Sequence, residues 1–195
     1  VRPEDVRPFA GRIHEEAQRL ITLVGDILKL SRLEDKAGIP DQEPMSLYGE
    51  AERVLRRLDP VAQRQNVTMR LEGTAGNMTA VRRIVEEMLY NLCDNALKYN
   101  RPGGSVTVSI KEEGSSVLLT VSDTGIGIPE EDIPRIFERF YRVDKSHSKD
   151  VGGTGLGLSI VKHGALCHGA QISVQSRLGE GTAVTVKFPG KGDVL

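Results

Sequence analysis

The chain has 195 residues, which is enough for one compact domain with an appendage or for two small domains. Its 38% apolar content excludes general disorder, and its formal net charge of -1 excludes the basic footprint of a general nucleic-acid binder. The sequence contains no apolar run long enough to span a membrane, and its two cysteines are too few for a disulfide framework.

The first 36 residues are predicted to form one long helix. Its apolar positions recur in alternating steps of four and three residues, which is a heptad seam. Such a seam favours packing on other helices in a bundle, although an ordinary amphipathic helix on the core of its own domain is the alternative. The seam consists of Ile13, Ala17, Leu20, Val24, Ile27 and Ser31. Residues 37–44 contain Gly and Pro among polar residues, and we interpret them as a linker.

Residues 45–190 are predicted to form one α+β domain, followed by a short tail at 191–195. Helices should cover one face of a largely antiparallel sheet. The irregular segment 125–153, with one short helix near 133–137, has a length typical of a functional lid. Apolar periodicity predicts helices over 46–65, 79–99 and 156–167, and strands over 67–71, 106–110, 117–121, 172–175 and 183–188.

Three polar residues on the predicted helix 79–99 are candidates for binding a metal and phosphate. Asn91, Asn95 and Lys98 lie at steps of four and three residues, so they share one face of that helix. Two amide oxygens and an ammonium group there suit a hydrated Mg²⁺ ion with phosphates beside it, because Mg²⁺ prefers oxygen ligands. On their own, these residues are more simply interpreted as the solvated face of an amphipathic helix.

Three glycine-rich stretches follow. Asp123 ends a predicted strand just before Gly125 and Gly127, where its carboxylate could accept a hydrogen bond from an exocyclic amine such as that of adenine. Residues 152–158 open a helix, and their bare backbone N–H groups are typical of an anion site. Residues 179–182 form a turn between two strands. Neither a dinucleotide-binding unit nor a P-loop fits, because the strand context and the Gly-Lys-Ser/Thr triplet are missing.

The order and spacing of these four stretches resemble the N, G1, G2 and G3 boxes of the catalytic, ATP-binding domain of sensor histidine kinases. Residues 137–142 look like the F box of that family. Residues 9–36, which include the stretch 26–34 near their end, look like the second helix of its dimerisation and phosphotransfer domain. The resemblance implies a Bergerat-type α/β sandwich over residues 45–190, a fold shared with DNA gyrase B and mismatch-repair ATPases.

The resemblance also implies ATP and Mg²⁺ as cofactors. It implies that Asn95 is the Mg²⁺ ligand, that Asp123 binds the adenine amine, and that Asn91, Asn95, Lys98 and Arg142 serve catalysis. The nucleotide-binding residues implied in this way are Asn91, Asn95, Lys98, Tyr99, Asp123, Gly125, Ile126, Gly127, Tyr141, Arg142, Gly153, Thr154, Gly155, Leu156, Gly157, Leu158 and Thr182.

The reaction implied by the resemblance is transfer of the ATP γ-phosphate to a histidine, followed by relay to an aspartate on the receiver domain of a response regulator. The family's acceptor box is not in this sequence, and His14 lacks the Arg-Thr-Pro that should follow an acceptor. Because the chain begins with Val, we expect it to be part of a longer protein. The resemblance implies that this longer protein is a homodimer anchored in a membrane and that this chain belongs to its cytoplasmic part.

Two other functions remain open at this stage. One is a water-using ATPase of the same fold, in which the position of Asn91 would carry a glutamate as general base; an amide is a poor base, so Asn91 argues against it. The other is a non-catalytic module for nucleotide sensing or dimerisation, against which the intact motifs argue.

Overall fold

The computed structural model describes residues 3–34, 41–143 and 153–190. Within these ranges, the helices are α1 (Pro3–Glu34), α2 (Leu47–Gln65), α3 (Arg82–Lys98) and α4 (Gly157–Cys167). The strands are β1 (Glu43–Ser46), β2 (Thr68–Gly73), β3 (Asn77–Ala80), β4 (Ser105–Glu113), β5 (Ser116–Asp123), β6 (Gln171–Arg177) and β7 (Gly181–Phe188).

Five of the strands form one mixed sheet in the order β2-β4-β5-β7-β6. Only the β2–β4 pair among them is parallel, whereas the other three pairs are antiparallel. The predicted α+β class is therefore confirmed. The register of β5 against β7 places Asp123 directly opposite Thr182, so two predicted site residues come from neighbouring strands.

The core lies between the sheet and the layer formed by α2, α3 and α4. Every second residue of β4 is buried up to Ile110, which matches the two-residue period of a strand with one covered face. The opposing face of α3 is apolar at helical spacing and fully packed. Its buried residues are Ile84, Val85, Met88, Leu89, Leu92, Cys93, Ala96 and Leu97.

Helix α2 has clear signals at both ends. Ser46 precedes it in an extended conformation, and its Oγ accepts a hydrogen bond from the Gly49 N–H at 3.3 Å, which satisfies one of the free donors of the first turn. The helix ends where Asn66 adopts a left-handed φ of 55°, a conformation that Asn tolerates better than most residues. The chain can then turn directly into β2.

A glycine inside α4 permits close packing on α3. A Cβ at Gly164 would lie 2.7 Å from the Met88 side chain and 3.0 Å from Cγ2 of Ile84. Any larger residue would push the two helices apart. This contact offsets the roughly 1 kcal/mol that glycine costs in a helix relative to alanine.

The start of one predicted helix and the whole of a short predicted helix were wrong. The helix predicted over 79–99 starts only at Arg82, because Thr79 and Ala80 belong to β3 and pair with Pro44 and Glu43 of β1. The predicted linker therefore ends in a strand. The short helix near 133–137 is instead a series of turns: the Arg135 N–H, for example, donates to the Asp132 carbonyl at 2.8 Å.

Helix α1 contacts the domain through a different face from the heptad seam. Leu30 is 4% exposed and packs against Leu156 and Ile160 at the start of α4. The seam residues Ile13 and Leu20, by contrast, remain more than half exposed, so the seam does not pack on the core of its own domain. No helix within the described ranges is long and apolar enough to cross a membrane.

His168 ties the end of α4 to the start of α3. It is buried; its Nε2 accepts a hydrogen bond from the Val81 N–H at 3.0 Å, and its Nδ1 lies 2.7 Å from the Gly164 carbonyl, to which it donates. These partners require a neutral ring with the proton on Nδ1. Burial lowers the pKa of His168, and the hydrogen bond to Gly164 only partly opposes this.

The free energy of unfolding should therefore decrease as the pH falls. Below the pKa of an unfolded histidine, about 6.5, the unfolded chain binds a proton that folded His168 does not bind. We expect the decrease to begin near about pH 6.5 and to continue toward the lower pKa of the folded state. Urea unfolding followed by circular dichroism between about pH 7 and about pH 5.5 would measure it.

Two variants would show whether His168 causes this pH dependence of the free energy of unfolding. His168→Gln keeps an acceptor for the Val81 N–H but cannot be protonated in this range, so it should lose this part of the pH dependence. His14→Gln removes an exposed histidine of α1 and should keep it. The same pH dependence in His168→Gln as in the unchanged protein would contradict the assignment.

Candidate functional site

One cavity of about 630 Å³ brings the predicted site residues together. It lies between the polar face of α3, the end of β5 and the glycine-rich loop before α4. All the residues predicted to bind nucleotide line it except Gly125 and Leu156. Gly152, which belongs to the third stretch, lies outside the described residues.

At one end of the cavity stands the carboxylate of Asp123. Its Oδ1 accepts a hydrogen bond from the Gly125 N–H at 2.8 Å. Burial raises the pKa of Asp123, while hydrogen bonds from the backbone of Gly125 and Thr182 act in the opposite direction. A partly desolvated carboxylate at a strand end is a directional acceptor for an amine donor.

Ser176 supports this end of the cavity from outside its lining, and it was not predicted. Its Oγ donates to the Gly181 carbonyl at 2.9 Å and accepts from the Ile128 N–H at 2.9 Å. It also lies 2.8 Å from Oγ1 of Thr182. Ser176 therefore connects the loop after β5 with the turn before β7 and holds Thr182 in place.

Gly125 has a packing role. A Cβ there would lie 2.2 Å from the Tyr99 carbonyl oxygen, and the neighbouring Ile126 N–H donates to that same oxygen at 3.0 Å. The loop after β5 is thus fastened to the C-terminal end of α3. Tyr99 and Asp123 consequently mark the same end of the cavity.

The polar face of α3 carries three differently engaged side chains. Asn91 Nδ2 donates to the Glu87 carbonyl at 2.8 Å, and Lys98 Nζ donates to Asp94 at 2.5 Å. Asn95, between them, forms no side-chain hydrogen bond to any residue that the structure describes, so its amide oxygen is available to a ligand. Asp94 was not predicted, and it adds a carboxylate to this face.

The glycine-rich loop is positioned from two sides. Arg142 Nη1 donates to the Gly153 carbonyl at 2.8 Å, and the Phe140 N–H donates to the Gly155 carbonyl at 2.9 Å. Leu156 is completely buried beside Leu30, so its side chain anchors the loop and lies away from the cavity. The backbone N–H groups that begin α4 form the positive end of a helix, which favours an anion.

Tyr141 reaches the cavity from the segment 137–142. Its hydroxyl donates to Asp132 at 2.5 Å, and the Arg135 guanidinium stacks 4.3 Å above its ring centroid. The hydrogen bond to Asp132 is the main cause of the raised pKa of Tyr141. This network holds the tyrosine ring at the edge of the cavity.

The opposite end of the cavity includes residues from α1, which sequence reasoning missed. Thr22, Asp26 and Lys29 all line it. Lys29 Nζ lies 2.9 Å from Glu87 of α3, one turn before Asn91. Asn91 and Tyr99 are separated by about two turns of α3, or about 12 Å. The cavity therefore runs from Asp123 and Tyr99 at one end to Asn91 and α1 at the other.

The comparison with known protein families agrees with this geometry. Residues 80–192 match the family of histidine kinase-, DNA gyrase B-, and HSP90-like ATPases. The chain belongs to that family. Within it, the domain is a catalytic, ATP-binding domain of the two-component sensor histidine kinase type, as the named relatives agree.

Two curated relatives illustrate this similarity. The chain is 34% identical to the sensor-like histidine kinase SenX3 of Mycolicibacterium smegmatis over 96% of this chain and 49% of that protein. It is 35% identical to the sensor histidine kinase WalK of Bacillus subtilis over 96% of this chain and 31% of that protein. The chain thus spans half or less of the length of these relatives.

Solved structures give the same result. The mycobacterial sensor histidine kinase MprB superposes with a TM-score of 0.66 at 30% identity, covering 76% of this chain and 97% of that one. ShkA, solved at full length in complex with AMPPNP, gives a TM-score of 0.80 at 26% identity over 94% of this chain and 38% of that one. The ShkA match covers more of the chain than the MprB match does.

Proposed function

We propose that this chain is the catalytic core that transfers the γ-phosphate of ATP to a histidine side chain, for relay to an aspartate on a response-regulator receiver domain. The observation that carries the proposal is the continuous cavity from Asp123 to Asn91, which combines an amine acceptor, free amide oxygen and an anion-binding loop. In-line phosphoryl transfer needs mainly positioning and charge stabilisation, and such a cavity supplies both.

The nucleotide would lie along α3. Asp123 would accept a hydrogen bond from the adenine amine, with Thr182 held beside it by Ser176. The sugar would pass Tyr99, and the phosphates would lie between Lys98 and the loop at Gly153–Gly155. Arg142, already bound to this loop through Gly153, would bring positive charge to the phosphates.

The residues beside the phosphate path fit Mg²⁺. Mg²⁺ prefers oxygen ligands and keeps several waters, so one protein ligand can suffice. Asn95 offers an amide oxygen without another partner among the described residues, and Asp94 and Asn91 lie next to it on the same helix face. When bound, the ion would neutralise charge on the phosphate oxygens.

Asn91 supports phosphoryl transfer over hydrolysis. Its Nδ2 donates to the Glu87 carbonyl, which turns the remaining Oδ1 toward the start of α4, where a Cβ at Gly157 would lie 2.8 Å from it. An amide in this position cannot take a proton from water. Glu87 itself pairs with Lys29, which makes it unsuited to that role.

The remaining expectations concern the whole protein. We propose that residues 1–36 belong to a dimerisation and phosphotransfer unit and residues 45–190 to the catalytic unit. The protein would act as a homodimer, with this part in the cytoplasm and an anchor in the membrane. The exposed seam of α1 supports the dimer, because a contiguous apolar stripe favours helix packing.

The test uses the protein that contains this chain, incubated with Mg²⁺ and ATP labelled in its γ-phosphate. We expect a label that is stable to base and labile to acid, as a phosphohistidine is, and that passes to a receiver domain. The His14→Ala variant should retain it. Sustained phosphate release without any protein-bound label would overturn the proposal and favour an ATPase.

A further inference from the structure

Helix α1 is docked beside the loop that should hold phosphate. Leu30 is buried against Leu156, at the end of that loop, and against Ile160 in the first turn of α4. Two ionic contacts flank this apolar one. Lys29 pairs with Glu87 of α3 at 2.9 Å, and Glu34 pairs with Arg139 and lies 3.2 Å from Nε2 of His163. The docked helix therefore contacts the catalytic domain through both apolar and ionic groups over residues 29–34.

One of the contacts brings a negative charge into the anion site. Thr154 Oγ1 donates a hydrogen bond to Asp26 Oδ2 at 2.8 Å. Thr154 lies in the glycine-rich loop three residues before α4, where the positive helix end and the hydroxyl both favour an anion. Asp26 occupies this position with a side chain that is only 16% exposed.

The cation that pairs with Asp26 is shared with a second carboxylate. Lys29 Nζ is 3.9 Å from Asp26 Oδ1 but 2.9 Å from Glu87, so one ammonium serves two carboxylates. The far end of the cavity lies about 12 Å along α3 from the adenine end. The last phosphate of a bound triphosphate is therefore the part of the nucleotide that would approach Asp26.

We propose that Asp26 is a specificity-determining residue that lets the docked α1 accept a nucleoside diphosphate but not a triphosphate. This inference rests on the proposed function. The Asp26 carboxylate and the terminal phosphate would compete for the Thr154 hydroxyl. Because both groups are negatively charged, they would also repel each other when they share this site. A triphosphate therefore binds with release of α1, and a docked α1 weakens triphosphate binding by the same factor, because linkage is reciprocal.

The first measurement compares binding of AMPPNP and ADP by calorimetry in the presence of Mg²⁺. Asp26→Asn keeps an oxygen that can accept from Thr154 but removes the charge. We expect its affinity for AMPPNP to rise by at least about fivefold, the lower end of usual coupling between sites, and its affinity for ADP to change much less. Glu16→Gln, an equal charge change elsewhere on α1, should leave both affinities unchanged.

The second measurement follows the release of α1 through a thiol. Cys167 Sγ lies 3.6 Å from the Leu33 carbonyl oxygen, so the docked helix covers one side of it. The other thiol, Cys93, is buried, and burial raises its pKa to about 12, so alkylation reports on Cys167. AMPPNP should accelerate alkylation of the unchanged protein, ADP should not, and Asp26→Asn should show less acceleration.

The outcomes separate the two proposals. Unchanged relative affinity for AMPPNP and ADP in Asp26→Asn would overturn the inference alone, as would an alkylation rate that AMPPNP does not alter. A loss of affinity for both nucleotides to the same extent would show that Asp26 merely supports the loop, and would also overturn it. Failure of the unchanged protein to bind either nucleotide would overturn the proposed function together with this inference.

Discussion

Replacing Asp123 with alanine is expected to lower the affinity for ATP by about 10- to 100-fold. Hydrogen bonds to charged groups contribute about 1.5–3 kcal/mol, and each 1.4 kcal/mol is a factor of ten in affinity. The substitution removes the acceptor at the adenine end and leaves the Gly125 N–H without its partner, so the loop after β5 also loses a support. Calorimetric titration with a non-hydrolysable ATP analogue would measure the loss.

Two further variants make this result specific. Asp123→Asn keeps an acceptor oxygen, so its loss of affinity should be smaller than that of Asp123→Ala. Glu113→Gln removes a carboxylate at the opposite end of the β4–β5 hairpin, where it pairs with Lys187, and should bind ATP normally. Unchanged affinity in a folded Asp123→Ala protein would contradict the adenine assignment.

Replacing Asn95 with alanine is expected to abolish the strengthening of ATP binding by Mg²⁺. The amide oxygen of Asn95 has no other partner within the described part of the chain, so its removal disturbs little besides a bound ligand. Phosphorylation of histidine should fall by about 100-fold or more, because losing one preorganised electrostatic contact in a reacting site commonly costs that much. Measuring the affinity for ATP with Mg²⁺ and with a chelator would show the effect on binding, and the phosphorylation rate would show the effect on the reaction.

The control for this variant is an amide that lies away from the cavity. Gln65→Ala removes an exposed amide at the last position of α2 and should change neither binding nor phosphorylation. An equal effect of Mg²⁺ on ATP affinity in Asn95→Ala and in the unchanged protein would show that the metal is held elsewhere. Thermal unfolding would establish that both variants remain folded.

The sequence predicted those parts of the molecule that depend on local periodicity. Helix α3 was expected because its apolar residues recur at helical spacing, and most of its buried face follows that pattern. The strand pairs β4–β5 and β6–β7 were expected because a short turn joins each pair. Asp123 could be predicted as a site residue because it ends a strand and because Gly125 and Gly127 follow it.

The parts that were missed depend on residues far apart in the chain. The β1–β3 ribbon pairs Pro44 with Thr79, and neither short segment carries a strand pattern of its own, so Thr79 and Ala80 were absorbed into the following helix. The contact of Asp26 with Thr154 joins residues separated by most of the chain. Ser176 was not selected because it lay outside the predicted strand 172–175 and because its partners, Ile128 and Gly181, are distant in the sequence or on another strand.

The role of Gly164 could not be predicted because it depends on packing between two helices. From the sequence alone, a glycine at this position only weakens a helix, whereas in the structure it lets the Met88 side chain of α3 pack closely against α4. The spacing of α3 and α4 is therefore set by a residue without a side chain. Neither helix alone contains that information.

The register of β5 against β7 has a consequence for how the protein folds. Asp123 faces Thr182 only in the native register, and a slip of one residue would turn Thr182 to the opposite face of the sheet. A slipped form would keep much of its backbone pairing but would lack the complete adenine pocket. Nucleotide stabilises only the forms that bind it. ATP would thus act during refolding as a selective ligand for the correctly aligned sheet, and the cofactor would help to correct errors in the fold that binds it.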